Sequence, residues 1–243
     1  MSSADNPYRT WGLVAADAAP SERAQFIRQT YLHLGGAVLV FMALEAVLLS
    51  LPGIGEIVSM VLGNRMGVLL MFGGFMAATF IANSWASSST SVSTQYLGLG
   101  LYVVAEAVFF VPLLYYAETF GGPDVIPMAG VLTLVVFTGL TAVVFVTGAD
   151  FSFLRTGLAI AGLVAMGFIF CSFIFQANLG VTSIAFTAAM IGLASGYILY
   201  DTSNVLHHYR IGQHVAASLA LFASVALLFW YILRLVLSLT SRD

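Results

Sequence analysis

Val125-Ile126-Pro127-Met128-Ala129-Gly130-Val131-Leu132-Thr133-Leu134-Val135-Val136-Phe137-Thr138-Gly139-Leu140-Thr141-Ala142-Val143-Val144-Phe145-Val146-Thr147 contains no charged residue. Crossing the hydrocarbon layer takes roughly 20 apolar residues in a helix, so this stretch reads as one complete membrane span. Its flanks are punctuated by Gly121-Gly122-Pro123-Asp124 before it and Gly148-Ala149-Asp150 after it, both turn signals.

Six more runs of this kind lie on either side, at about 32–51, 66–83, 96–117, 157–176, 182–201 and 214–237. Leu51-Pro52-Gly53 closes the first, and Gly180 precedes the sixth span. Segment 54–63 reads as a short helix lying at the interface. The serine-rich 84–91 reads as a polar loop. The sequence therefore predicts an all-α integral membrane protein with seven transmembrane helices. Residues 1–30 mix charge, proline and alanine and are expected to form a mobile cytoplasmic tail, with Ser21 to Tyr31 as an amphipathic lead-in. Residues 31–243 are expected to form the transmembrane domain. The polar first thirty residues lack the apolar core of a cleavable signal, so the first run is expected to be retained.

Composition agrees. Of 243 residues, 60% are hydrophobic and 8% charged, against about 25% charged in an ordinary soluble domain. So few charges cannot cover a water-facing surface. All basic residues are arginine, and they form no patch, which argues against a nucleic-acid partner. The partner implied first is the lipid bilayer. With the N-terminus in the cytoplasm, Arg9, Arg23, Arg28, Arg155 and Arg210 fall inside, and Arg65 and Arg242 outside. That bias predicts an outside C-terminus. Cys171 is the one cysteine. It allows no internal disulfide or thiolate metal site and reads as a small buried apolar side chain.

Several site classes are excluded. A retinal Schiff base needs a lysine, and there is none. In Leu193-Ala194-Ser195-Gly196 the glycine that rhomboid proteases place two residues before the serine is replaced by Leu193. No H-E-x-x-H, P-loop or G-x-G-x-x-G occurs, so neither an enzyme nor a bound cofactor is expected.

What remains is acids inside the spans. Charges at mid-bilayer are expensive and face a bundle interior or a wet cavity. Asp201 lies in Gly196-Tyr197-Ile198-Leu199-Tyr200-Asp201-Thr202-Ser203-Asn204. If the helix continues, Tyr197, Asp201, Asn204 and His208 share one face at spacings of 4, 3 and 4. The stripe suits water, an ion or a polar partner helix; a solvated helix end is the plainer alternative. Glu106 sits in mid-span, six residues before the helix-kinking Pro112, and is either part of an ion pathway or hydrogen-bonded glue. Glu45 lies two-thirds along the first run, toward its outer end. His207, His208 and His214 crowd one loop without metal-ligand spacing and read as interfacial histidines.

The chain resembles the Bax inhibitor-1 family, nearest its bacterial YccA-type branch. The resemblance rests on Gln25-Phe26-Ile27-Arg28-Gln29-Thr30-Tyr31, on Gly139-Leu140-Thr141-Ala142 with Asp150-Phe151-Ser152-Phe153-Leu154, on Ser195-Gly196-Tyr197-Ile198-Leu199-Tyr200-Asp201-Thr202, and on the ending Ser241-Arg242-Asp243. It implies a seven-helix bundle with the last helix central. It also implies a pH-sensitive calcium leak gated by two aspartates, calcium being the permeating ion. The first aspartate matches Asp201. The second position, about ten residues before Arg234, holds Ser224, so a proton shared between two carboxylates is not available here. The YccA-type branch shares that departure and is associated with restraining a membrane-anchored AAA protease. It places the chain in a bacterial inner membrane.

Overall fold

The computed structural model describes residues 13–88, 91–175, 180 and 183–240. Every expected span is a helix: α1 Pro20–Leu49, α3 Arg65–Ala86, α4 Val92–Phe120, α5 Val125–Thr147, α6 Leu154–Phe175, α7 Ile184–His207 and α8 His214–Thr240. The short α2, Ile54–Gly63, follows α1 as the expected non-spanning helix. The chain is an all-α membrane protein with seven helices long and apolar enough to cross a bilayer. Arg9, Ser89, Thr90 and the Ser241-Arg242-Asp243 ending lie outside the described residues.

α1 starts well before its apolar run because hydropathy marks the lipid-facing length, not the helix. Pro20 suits the first helical position, and Phe26 and Thr30 are already buried. The lead-in from Ser21 is part of α1, and the segment just before it, expected to be mobile, is tied down. The Ala15 amide donates to the Tyr209 carbonyl at 2.9 Å, and the Ile211 amide donates to the Leu13 carbonyl at 3.0 Å. This pairs Val14 with Arg210 in an isolated antiparallel bridge.

The chain divides into two units, Met1–Tyr115 with Asn204–Phe222, and Tyr116–Ser203 with Ala223–Asp243. In the first, the Ser218 hydroxyl of α8 reaches the Thr30 carbonyl of α1 at 2.8 Å. Phe41 stands edge-on to Phe110 at 5.2 Å and to Phe222 at 5.9 Å, joining α1, α4 and α8. α3 meets α4 at Gly98, where a Cβ would press on the Ala86 backbone nitrogen and lie 2.6 Å from the Ala82 carbonyl oxygen. In the second, Ala165, Met190 and Tyr231 form a core with Phe186 and Trp230 packed on it. The Tyr197 hydroxyl donates to the Leu158 carbonyl of α6 at 2.9 Å. Gly148 takes φ +61° to end α5, a left-handed position that favours glycine.

α8 and α4 are the most buried spans, and α6 the least. The expectation of an interior last helix holds, with α4 sharing that character. Cys171, expected to be buried, is exposed on α6. In a bilayer an apolar side chain gains as much from lipid as from protein, so hydropathy alone could not choose between them.

A side chain at Gly98 has no room, whereas Gly130 on α5 faces open space. We expect Gly98→Val to lower the thermal unfolding midpoint of the detergent-purified protein by several degrees. Gly130→Val should leave it within about a degree, since added bulk there disturbs no packing.

Candidate functional site

α7 continues past Asp201 to His207, as the polar stripe requires. Asp201 is 9% exposed although its own helix ends only six residues later. The reason is α8. The Ser224 hydroxyl donates to Asp201 Oδ2 at 2.5 Å, the short end of the range for a hydroxyl–carboxyl bond. Ser224 is buried too. The serine in the second-aspartate position thus meets the acid directly, as donor where a carboxylate would be a rival charge. A serine can neither repel Asp201 nor share its proton as a second carboxylate would.

Thr202 and Ser203, next along α7, are fully buried. Ser203 Oγ accepts from the Phe151 amide at 2.8 Å and lies 3.3 Å from Asp150 Oδ1, to which it donates. Asp150 Oδ1 also accepts from the Ser152 amide at 2.8 Å. The Asp-Phe-Ser turn between α5 and α6 is therefore pinned to the Asp-Thr-Ser segment of α7. The sequence reading singled out neither Asp150 nor Ser203 as a site residue. The available signal was the pair of signature stretches, which turn out to touch.

The rest of the predicted stripe spreads out. Tyr197 spends its hydroxyl on α6. Asn204 is half-buried. His208 lies beyond the end of α7 and is exposed. It is the first residue past the end of the helix. The Asn204 carbonyl does accept the His208 amide at 2.9 Å.

Glu106 is 6% exposed and hydrogen-bonds Tyr102, one turn earlier on α4. Its Oε2 has no hydrogen-bond partner among the described residues. Phe110 is one turn later on the same face. Glu45 is 5% exposed, with both carboxyl oxygens unpartnered among the described residues. It is buried against protein, four residues before α1 ends at Leu49. The structure brings Asp201 and Ser224 together, and Glu45 and Glu106 are each buried. Among the described residues no three His, Cys, Asp or Glu side chains are grouped to hold a metal ion.

These features define a multi-pass membrane protein whose spans carry buried acids and which has no assembled metal centre among the described residues. Residues 23–242 match the family described as Inhibitor of apoptosis-promoting Bax1, and the chain belongs to that family. Escherichia coli strain K12 has a relative named Modulator of FtsH protease YccA, 30% identical over 73% of this chain and 77% of that protein. The fission yeast Schizosaccharomyces pombe has one named Bax inhibitor 1, 28% identical over 94% of this chain and 82% of that protein. Protein LIFEGUARD 2 of Arabidopsis thaliana is 28% identical over 92% of this chain and 91% of its own.

Removing the Ser203 hydroxyl leaves the Phe151 amide without its acceptor. In Ser203→Ala we expect amide exchange at Phe151 and Ser152 to accelerate at least tenfold. We expect a stability loss of about 1 kcal/mol, the net value of a typical intramolecular hydrogen bond. Hydrogen–deuterium exchange read by mass spectrometry checks the first, and thermal unfolding the second.

Proposed function

We propose that the chain passes, or regulates the passage of, a cation down its gradient, with calcium as the leading candidate and Asp201 as the proton- and ion-sensitive group. The observation that carries this reading is a carboxyl sealed inside a membrane span with a serine hydroxyl of the last helix as its partner. Calcium is a hard cation that takes oxygen ligands. Asp201 on α7 and Ser224 on α8 offer such oxygens side by side; Asn204, Glu106 and Glu45 each carry a further side-chain oxygen. Moving a cation past Asp201 requires the Ser224 hydroxyl to let go of the carboxyl, and protonation of that carboxyl competes with the ion. Passage is therefore pH-sensitive in this reading. It stands as the closed state of a path that opens when α7 and α8 part at this bond.

The same reading sets the chain in a bacterial inner membrane with its N-terminus in the cytoplasm. The arginine bias supports that orientation. A relative from Escherichia coli strain CFT073 carries the name Inner membrane protein YccA, which supports the location.

Purified protein reconstituted into liposomes around a calcium-sensitive dye tests the proposal. We expect a leak whose rate changes with pH, and a loss of that pH dependence in Asp201→Asn. Ser224→Asp, which supplies a second acid, should steepen it. No leak at any pH, or an unchanged profile in Asp201→Asn, would overturn the reading.

A second reading, a non-transport regulator that binds and restrains a membrane-anchored AAA protease, is supported by the name of the Escherichia coli relative. Its partner surface would comprise the spans and the N-terminal tail. Affinity purification from native membranes is expected to enrich such a protease, and that enrichment should survive Asp201→Asn. Failure to enrich it under mild detergent would remove this reading.

A further inference from the structure

α1 and α4 run in the same direction across the membrane, being the first and third spans. Between them lies a cavity of about 400 Å³ that is open to the outside of the helices. Ala37 and Val103 form buried parts of its lining. Gly36 and Gly100 widen it, since neither has any neighbour within 4 Å of the place a Cβ would take. The polar side chains of the lining, His33 and Tyr96, sit together at one end. His33 Nε2 is 2.9 Å from the Tyr96 hydroxyl. His33 Nδ1 is 2.7 Å from the Gln29 carbonyl oxygen, which can only accept, so Nδ1 carries the proton. The His214 ring lies 5.0 Å from the His33 ring.

The position of that polar end is informative. His33, Tyr96 and His214 stand at the first residues of the apolar runs beginning at 32, 96 and 214. This is the level at which lipid headgroups meet the hydrocarbon, where amphipathic rings are favoured. Beyond it the lining is apolar. From His33 to Val40, or from Tyr96 to Val103, the groove advances roughly 10 Å at the helical rise of 1.5 Å per residue. Over that length the 400 Å³ volume gives a cross-section of roughly 40 Å². A helix, about 10 Å across with its side chains, is wider than that. Water finds no polar partners along the apolar part. A hydrocarbon chain fits both the width and the chemistry, and the bilayer supplies it.

We propose that this groove is a phospholipid site: one acyl chain lies along Gly36 and Gly100, and the headgroup rests against His33 and Tyr96. The volume lies within the 300–1,000 Å³ span of ordinary small-molecule pockets, mostly apolar with a few polar groups that set orientation. A bound chain would hold α1 against α4 through the groove.

The test uses the full-length protein in nanodiscs of phosphatidylethanolamine and phosphatidylglycerol, doped with a phospholipid carrying a diazirine on one acyl chain. After illumination, crosslinked peptides are mapped by mass spectrometry. We expect labelling concentrated on residues 32–40 and 96–103, several-fold above the other exposed spans. Gly36→Leu and Gly100→Leu grow side chains into open space, so they fill the groove without disturbing packing. They should remove most of that excess. Gly139→Leu on α5, equally open, should leave it intact. Labelling spread over the spans in proportion to exposure, or an excess that survives Gly36→Leu and Gly100→Leu in folded protein, would overturn the proposal.

Discussion

No water reaches a polar group in the middle of a bilayer, so the chain itself must satisfy every hydroxyl and carboxyl on its spans. Most hydroxyls meet this demand on their own helix. Thr30, Thr133, Thr147, Thr187, Ser195 and Thr240 all return to the carbonyl four residues back. Such bonds hold nothing together between helices. Among the described residues some side chains reach other segments. Ser218 reaches α1, Tyr197 reaches α6, Ser203 reaches the turn before α6, and Ser224 reaches Asp201. They are polar ties between segments, as is the His33–Tyr96 pair between α1 and α4.

Within that set Ser218 and Tyr197 end on backbone carbonyls, which do not change charge. The Ser203–Asp150 and Asp201–Ser224 bonds each end on a carboxyl, so their strength depends on its charge state. Of these two, Asp201–Ser224 joins one span to another. Just beyond it, Ser203 fixes the turn that leads into α6.

Glu45 and Glu106 are exceptions to full satisfaction. Each keeps carboxyl oxygen without a partner among the described residues, inside an aromatic and aliphatic interior. Buried polar groups of this kind are held at a cost in stability. The N-terminal strap over Tyr209–Ile211 adds a further constraint. It joins the segment before α1 to the loop between α7 and α8 by backbone bonds alone.

Seven spans, their order and the short α2 followed from the sequence, because length and apolarity suffice to specify a helix that must bury its own backbone polar groups. The acid on α7 stood out too, since charge in a span is rare, though a solvated helix end remained an alternative; the serine in the second-aspartate position was visible only through the family resemblance. Which apolar faces turn to protein was not legible: Cys171 and the buried α4 show that lipid and protein interior look alike to an apolar side chain. Nor were the partners across helices. That Ser224 touches Asp201, that Ser203 holds the Asp150 turn, and that Glu45 is buried all depend on how distant segments pack. A linear pattern sets the face of one helix but not what stands opposite it.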